Sequence, residues 1–217
     1  MIDYRLSRRH VLKWAGAGAT IAIAGGILPN FGISAALAAD LGSGDIGVLN
    51  YAYALEQLEA AFYIQAVKTP FADMGPAEAR ALRDIRDHEV AHRDFLKKAL
   101  GAKAIPSLEV DFSSIDFSSR ASVLGTADVF ENLGVAAYNG AGQLIENVDY
   151  LAAAGSIVSV EARHCATIAL MLSGVGTKAA GGKNVDGKGL DKALSPGAVL
   201  KAAGPFIKTP VTANSLV

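Results

Sequence analysis

Two short motifs place a carboxylate and an imidazole three residues apart: Glu89-Val90-Ala91-His92 and Glu161-Ala162-Arg163-His164. On an α-helix, residues i and i+3 lie on one face, so each motif directs both groups at the same spot. The chain has 8 Glu and 4 His in 217 residues. Chance therefore predicts about 0.15 such motifs. Finding two of them indicates a site that can bind a metal ion.

Two further glutamates repeat a second pattern. Glu56 is followed by Tyr63, and Glu131 is followed by Tyr138, at the same offset of seven residues. Each of these segments precedes an E-x-x-H segment, so the chain reads as two pseudo-repeats. Tyr63 and Tyr138 are either core aromatics or hydrogen-bond partners of the site. No catalytic residue separate from the metal site is predicted.

One ligand position is ambiguous from the sequence. Glu59 lies one helical turn from Glu56 and is an alternative to it. The offset to Tyr63 favours Glu56, because Glu131 and Tyr138 repeat it. Glu59 is then expected beside the site or at its rim.

Charge and donor type favour a pair of divalent ions. Four carboxylates that face one another repel and have raised pKa values unless cations neutralise them. Two divalent ions would balance four negative charges, and a mixed carboxylate and imidazole set suits Fe or Mn. The predicted cofactors are two Fe or Mn ions, and the predicted ligands are Glu56, Glu89, His92, Glu131, Glu161 and His164.

The elements that must position these residues are four long helices, indicated by apolar residues at helical spacing. The two Glu-to-Tyr segments and the two E-x-x-H segments all fall within these apolar stripes. His88 is expected on the surface of the second helix. The predicted helices span 47–67, Pro76 to Gly101, Ser119 to Ile145, and a stretch capped by Asn147 that continues to Ser173.

The connections between these helices predict their order in space. Short links make antiparallel hairpins of the first and the second pair. The 18 residues between the pairs, 102–119, could extend over about 60 Å, which is longer than a 24-residue helix at about 36 Å. We therefore predict an all-α, ferritin-like four-helix bundle with one long crossover between helices 2 and 3, plus a short C-terminal helix beginning at Ser195-Pro196. The bundle is assigned to 45–173, and 174–217 to a loop and a tail that packs on it.

Composition excludes several classes of protein. The chain is 51% hydrophobic but only 7% aromatic, which favours close-packed helices over a β-sandwich. One Cys excludes an internal disulfide framework and a cysteine-cluster zinc site. The net charge of −1 gives no indication of a nucleic-acid partner.

Residues 1–38 predict an export signal. Arg8 and Arg9 precede a short apolar run from Trp14 to Leu28, and Ala36-Leu37-Ala38 supplies the small residues of a cleavage site. The run is too short and too rich in Gly and Ala for a membrane span. The pattern resembles a bacterial twin-arginine signal, which implies the Tat translocase as a partner and a periplasmic or extracellular location.

Three segments resemble the ferritin-like family that includes plant and bacterial desiccation-related proteins. They are residues 55–63 (LEQLEAAFY), 130–141 (FENLGVAAYNGA) and 160–164 (VEARH). The resemblance covers about residues 45–173. It implies the bundle fold and a metal site at the six ligand positions named above.

Two functions remain open at this point. One is redox chemistry with O₂ or H₂O₂ as substrate, of the ferroxidase or manganese-catalase kind. The other is metal binding without turnover in a stress or desiccation-related protein of the cell envelope. The sequence does not decide between Fe and Mn, or between a monomer and a homo-oligomer.

Overall fold

The computed structural model describes residues 38–173, 180 and 184–216. Its described residues form five α-helices and one pair of two-residue strands. Four long helices carry the bundle, and the predicted all-α fold with its long crossover is confirmed. The helices are α1 (Gly44–Lys68), α2 (Pro76–Leu100), α3 (Arg120–Ala141), α4 (Val148–Ser173) and α5 (Pro196–Ala203); the strands are β1 (Ala39–Asp40) and β2 (Val211–Thr212).

The helix boundaries follow from local capping. Pro76 occupies the first turn of α2, where its missing N–H costs nothing, and the Glu78 side chain accepts a hydrogen bond from the Gly75 N–H. The Ser119 side chain caps α3 by accepting from the Ser122 N–H. Asn147 caps α4 in the same way, by accepting from the Asp149 N–H at 2.8 Å.

The third helix ends earlier than the sequence predicts. Its α-helical part stops at Ala141, and a 3₁₀ turn covers Gly142–Leu144. The N–H groups of Glu146 and Asn147 donate to the Asp45 carboxylate at 2.8 and 2.9 Å. The chain therefore leaves the helix to reach the first turn of α1.

The crossover runs along α1 and fixes the order of the helices. Arg120, at the start of α3, donates to Glu78 at the start of α2 and to the Met171 carbonyl near the end of α4. These contacts place the starts of α2 and α3 side by side. Helix α3 is therefore antiparallel to α1, as the long connection requires.

Two buried amides on α1 hold the crossover in place. Asn50 donates to the Lys103 carbonyl at 3.0 Å and accepts from the Ile105 N–H at 2.9 Å. Gln57 accepts from the Leu108 N–H at 2.9 Å. The crossover covers this side of α1 and satisfies its polar groups, so α1 is buried on nearly every side.

The described part of the tail packs against α3 and the crossover. The Leu194 N–H donates to the Ala136 carbonyl at 2.9 Å. A Cβ on Gly140 would lie 1.8 Å from the Leu194 carbonyl oxygen, so only glycine permits this approach. Beyond α5, Phe206 contacts Phe130 edge-on, and β2 pairs in parallel with β1.

Two sequence predictions concern membranes and export. Among the described residues, no helix combines the length and apolar character needed to cross a bilayer. The predicted export signal lies outside the described residues except for Ala38, and it stays a prediction.

Candidate metal centre

The six predicted ligands come together in the middle of the bundle, with at least one from each long helix. Glu56 is on α1, Glu131 on α3, and the two E-x-x-H pairs are on α2 and α4. All four carboxylates are fully buried. The side chain of His164 is 4% exposed and that of His92 is 12% exposed.

These side chains form two adjoining groups of potential ligands. Within each group the ligand atoms lie within 4.8 Å of one another. Glu89 and Glu161 belong to both groups, so they lie between the two positions where an ion would fit. The first group is Glu56, Glu89, His92 and Glu161; the second is Glu89, Glu131, Glu161 and His164.

Both imidazoles present Nδ1 to the carboxylates. His92 Nδ1 lies 3.0 Å from Glu161 Oε1 and 3.5 Å from Glu56 Oε2. His164 Nδ1 lies 2.8 Å from Glu89 Oε1 and 3.2 Å from Glu131 Oε2. These distances are those of ion pairs, but none of the contacts has the angles of a hydrogen bond.

The site therefore holds an unusual concentration of unpaired polar atoms. Buried polar groups normally find hydrogen-bond partners. Among the described residues, eight of the nine buried side-chain atoms that lack one belong to the six predicted ligands, and the ninth is the Tyr51 hydroxyl. Lone pairs that converge without pairing are what a metal ion requires, so the donor set fits a pair of cations.

The two tyrosines hold the outer oxygens of two of these carboxylates. The Tyr63 hydroxyl on α1 donates to Glu131 Oε1 on α3 at 2.5 Å, and the Tyr138 hydroxyl on α3 donates to Glu56 Oε1 on α1 at 2.5 Å. The exchange is reciprocal because α1 and α3 are antiparallel and share the Glu-to-Tyr offset. Each tyrosine leaves the other oxygen of its partner directed into the site.

The pKa values show how strongly the metal-free site retains protons. Burial, with repulsion from Glu89, raises the pKa of Glu56 to about 8. Burial alone would lower the pKa of both histidines, but the facing carboxylates outweigh it. They raise the pKa of His92 to about 12 and that of His164 to about 10. The two imidazolium groups therefore partly compensate the carboxylates when no ion is present.

Glu59 is a fifth buried carboxylate, 4% exposed, that belongs to neither ligand group. Its carboxylate lies against Gly134 of α3, beside that of Glu161. A Cβ at Gly134 would lie 3.1 Å from Glu59 Oε1 and 3.3 Å from Glu161 Oε2. The missing side chain at Gly134 thus leaves room for the two carboxylates. Burial also raises the pKa of Glu59 well above its usual value.

The sequence prediction for His88 was incomplete. His88 is exposed, as expected, but its Nδ1 lies 3.0 Å from Nε2 of His164, and the two rings are nearly parallel. Burial lowers the pKa of His88, which favours a neutral ring whose Nδ1 accepts a hydrogen bond from the Nε2–H of His164. We assign the Nε2–H tautomer to His164, which leaves the Nδ1 lone pair free for a metal ion. The available signal was the spacing: four residues on a helix turn the side-chain direction by only about 40°, so His88 and His92 share a face.

Comparison with known protein families gives a match. The sequence model of a family described as a ferritin-like domain matches residues 44–174. This range contains the four long helices and all six predicted ligands. A search of curated proteins found no match.

We predict that replacing His88 weakens metal binding without unfolding the bundle. His88→Ala should lower the affinity for Mn²⁺ about tenfold, because His164 loses the partner that fixes its tautomer and orientation. His88→Gln should retain more affinity, since its amide oxygen can accept the same hydrogen bond from His164. Competition with a chelator measures the affinity, and Asp87→Ala is the exposed neighbouring control. Wild-type affinity in His88→Ala would contradict this role.

We also predict that metal binding releases protons and strengthens as the pH rises. At pH 7, His92 and His164 are protonated in the metal-free site because their pKa values are about 12 and 10. Each must lose its proton from Nδ1 to become a ligand, so the affinity for Mn²⁺ should rise at least about tenfold per pH unit between pH 6 and 8. Calorimetry in buffers of different ionisation enthalpy counts the released protons. An affinity that does not change over this range would rule out these two ligands.

Proposed function

The chain belongs to the family of ferritin-like domains, and from this we propose that it binds two iron or manganese ions and uses them in redox chemistry of O₂ or H₂O₂. The observation that supports the proposal is the set of eight unpaired polar atoms from six side chains at the centre of the bundle. Burying these groups without ions would cost stability, because two imidazolium groups compensate four facing carboxylates only in part.

The residues divide naturally between two ions. Glu56 and His92 would hold one ion, Glu131 and His164 would hold the other, and Glu89 and Glu161 would be shared. Carboxylate oxygens and neutral imidazoles form a donor set that suits Fe and Mn. Such a pair of ions, when bound, can exchange two electrons with O₂ or H₂O₂.

The chain's own contribution is to position the ligands and exclude water. Tyr63 and Tyr138 fix two carboxylates through hydrogen bonds of 2.5 Å. Their phenols are fully or almost fully buried, and burial raises the pKa of each well above its usual value, so each keeps its proton. Two reactions fit this arrangement: oxidation of Fe(II) by O₂ or H₂O₂, and disproportionation of H₂O₂ to O₂ and water.

A second candidate function is metal binding without turnover. The observation that favours it is that the six ligands come from all four long helices, so bound ions would cross-link the bundle whether or not they react. This would suit a stress or desiccation-related protein of the cell envelope, the group that the sequence resembles.

Export belongs to the same proposal. We place the protein outside the cytoplasm on the strength of the Arg8-Arg9 pair and the Ala36-Leu37-Ala38 site. The Tat route transports folded proteins, so the ions could be bound before export.

We predict that Glu89→Gln removes both metal and activity. Glu89 is shared by the two ligand groups, so its loss should lower the affinity at both positions by at least about a hundredfold. Protein purified after expression with Fe and Mn should contain two ions per chain and consume H₂O₂ or Fe(II), and the variant should do neither. Elemental analysis and consumption assays are the measurements.

Glu109→Gln is the matched control, because Glu109 is an exposed glutamate of the crossover. It should retain both metal and turnover. Equal consumption by wild type and Glu89→Gln, with a large fall in melting temperature only in Glu89→Gln, would favour the non-catalytic function. Wild-type protein with less than about a tenth of an equivalent of Fe or Mn would refute both functions.

A further inference from the structure

An open apolar cleft of about 220 Å³ lies at the end of the bundle where α1 and α4 begin. All four long helices line it, and its surface is almost entirely apolar. The lining residues of α1 and α3, such as Leu55 and Ala137, are buried and form its floor. Phe95 and Ala99 of α2 and Asp149 of α4 are exposed and form its mouth. The cleft therefore opens between α2 and α4.

Phe95 gives the mouth of the cleft an exposed aromatic ring. The residue is 50% exposed, although phenylalanine is usually buried. Residues four apart on a helix are neighbours on its surface. Ala91 and Ala99, which flank Phe95 at this spacing, are also exposed and uncharged. The apolar surface of the cleft thus continues onto the outside of α2.

The outer face of α4 is almost uncharged as well. Among its 26 residues, the only Asp, Glu, Lys and Arg residues are Asp149, Glu161 and Arg163, and Glu161 is buried in the candidate metal centre. A helix that faces only water normally carries charged or polar residues on its outer side. The outer side of α2 away from the cleft does so, with the exposed residues Arg80, Arg83, Asp84, Asp87, Asp94, Lys97 and Lys98.

The cleft and the uncharged residues around it form one surface, which we call the Phe95 face. A contiguous apolar patch on the outside of a soluble domain commonly marks a site of protein–protein interaction. Besides the cleft, the face consists of Ala91, Phe95 and Ala99 on α2 and of Ala152, Ala153 and Ser156 on α4.

We propose that the Phe95 face binds a second copy of this chain, so that the protein is a dimer with two-fold symmetry. Such an interface must be self-complementary, because the same patch is used by both copies. The Phe95 face meets this requirement, since it carries an exposed ring beside a cleft. A cavity of about 150 Å³ binds benzene, so a cleft of about 220 Å³ has room for the ring of the partner's Phe95.

Charge favours one direction of the two-fold axis. Lys98 lies one turn from Phe95 in the last turn of α2, and Asp149 lies in the first turn of α4. Neither has an ion-pair partner within the described part of the chain. An axis parallel to the bundle sets α2 of each copy opposite α4 of the other, so that Lys98 faces the partner's Asp149. An axis across the helices would set α2 opposite α2 and lose this pairing.

The size of the face suits a stable dimer. Helix α4 has 26 residues and is therefore about 39 Å long. Two neighbouring helices with their side chains are about 20 Å wide. This side of the bundle thus offers about 800 Å², the share of one partner in a typical stable interface. No predicted metal ligand takes part in these contacts, so the proposal does not rest on the proposed function.

Sedimentation velocity of the full-length protein tests the proposal. At about 10 μM we expect a dimer, with twice the chain mass of 22.4 kDa. Phe95→Glu should raise the dimer Kd at least about a hundredfold and give a monomer, because it removes the ring and places a charge in an apolar cleft. Val129→Glu is the matched control, since Val129 is 56% exposed on α3, outside the face, and it should remain dimeric. Thermal unfolding checks that each variant is folded.

Charge reversal tests the direction of the axis. Lys98→Glu and Asp149→Lys should each raise the Kd roughly tenfold at low salt, because each sets like charges opposite one another. The double variant should return to within about threefold of the wild-type Kd. A loss of stability within one chain would not be restored in this way. Single and double variants with the same Kd as wild type would overturn the proposed arrangement.

Two further outcomes would overturn the proposal. One is a wild-type chain that stays monomeric at about 100 μM, including the case in which hydrogen exchange shows that residues 1–37 cover the face. The other is a dimer that persists in Phe95→Glu, since it would form through another surface.

Metal content, measured on the same sample, separates this proposal from the proposed function. A metal-free dimer that Phe95→Glu dissociates would refute the proposed function and support the interface. A wild-type monomer with two bound ions would do the reverse.

Discussion

The structure depends on the burial of carboxylates in a core that cannot solvate them. Five of the chain's eight glutamates lie buried in one bundle, and four of them are fully buried. Burial raises the pKa of most of these groups, and their mutual repulsion adds to the rise. Two imidazoles supply the only positive charge in contact with the four central carboxylates among the described residues. Cations at the centre would offset this burial and repulsion, and the hydrogen bonds from Tyr63 and Tyr138 hold two of the carboxylates in place.

The rest of the fold keeps these side chains in register. Helix α1 carries Glu56 and Tyr63, and the crossover fixes its position through the amides of Asn50 and Gln57. Because the crossover makes α1 and α3 antiparallel, one offset of seven residues generates both tyrosine–carboxylate pairs. Local capping sets where α2 and α4 begin, and therefore the position of each E-x-x-H pair along the bundle axis. The crossover between the hairpins therefore helps to set the geometry of the candidate metal centre.

The sequence predicted the parts of this site that depend on one helix at a time. Residue type and a 3.6-residue period were enough to place Glu89 with His92 and Glu161 with His164 on inward faces. The long crossover was also predicted, but most individual side-chain contacts between different helices were not. Three contacts that were not predicted join residues far apart in the chain. They are the contact between His88 and His164, the hydrogen bond from Asn50 to the crossover, and the close approach of Leu194 to Gly140.

The most direct test of the account is a crystal structure of the metal-replete protein with anomalous diffraction recorded at the iron and manganese edges. We expect two anomalous peaks between Glu89 and Glu161, one next to Nδ1 of His92 and the other next to Nδ1 of His164. The carboxylate oxygens and Nδ1 atoms that are unpaired here should then lie at coordination distance, about 2 to 2.3 Å, from the peaks. Peaks absent from this position, with the same atoms bound to water or to one another, would contradict the claim that these six residues form a dinuclear metal centre.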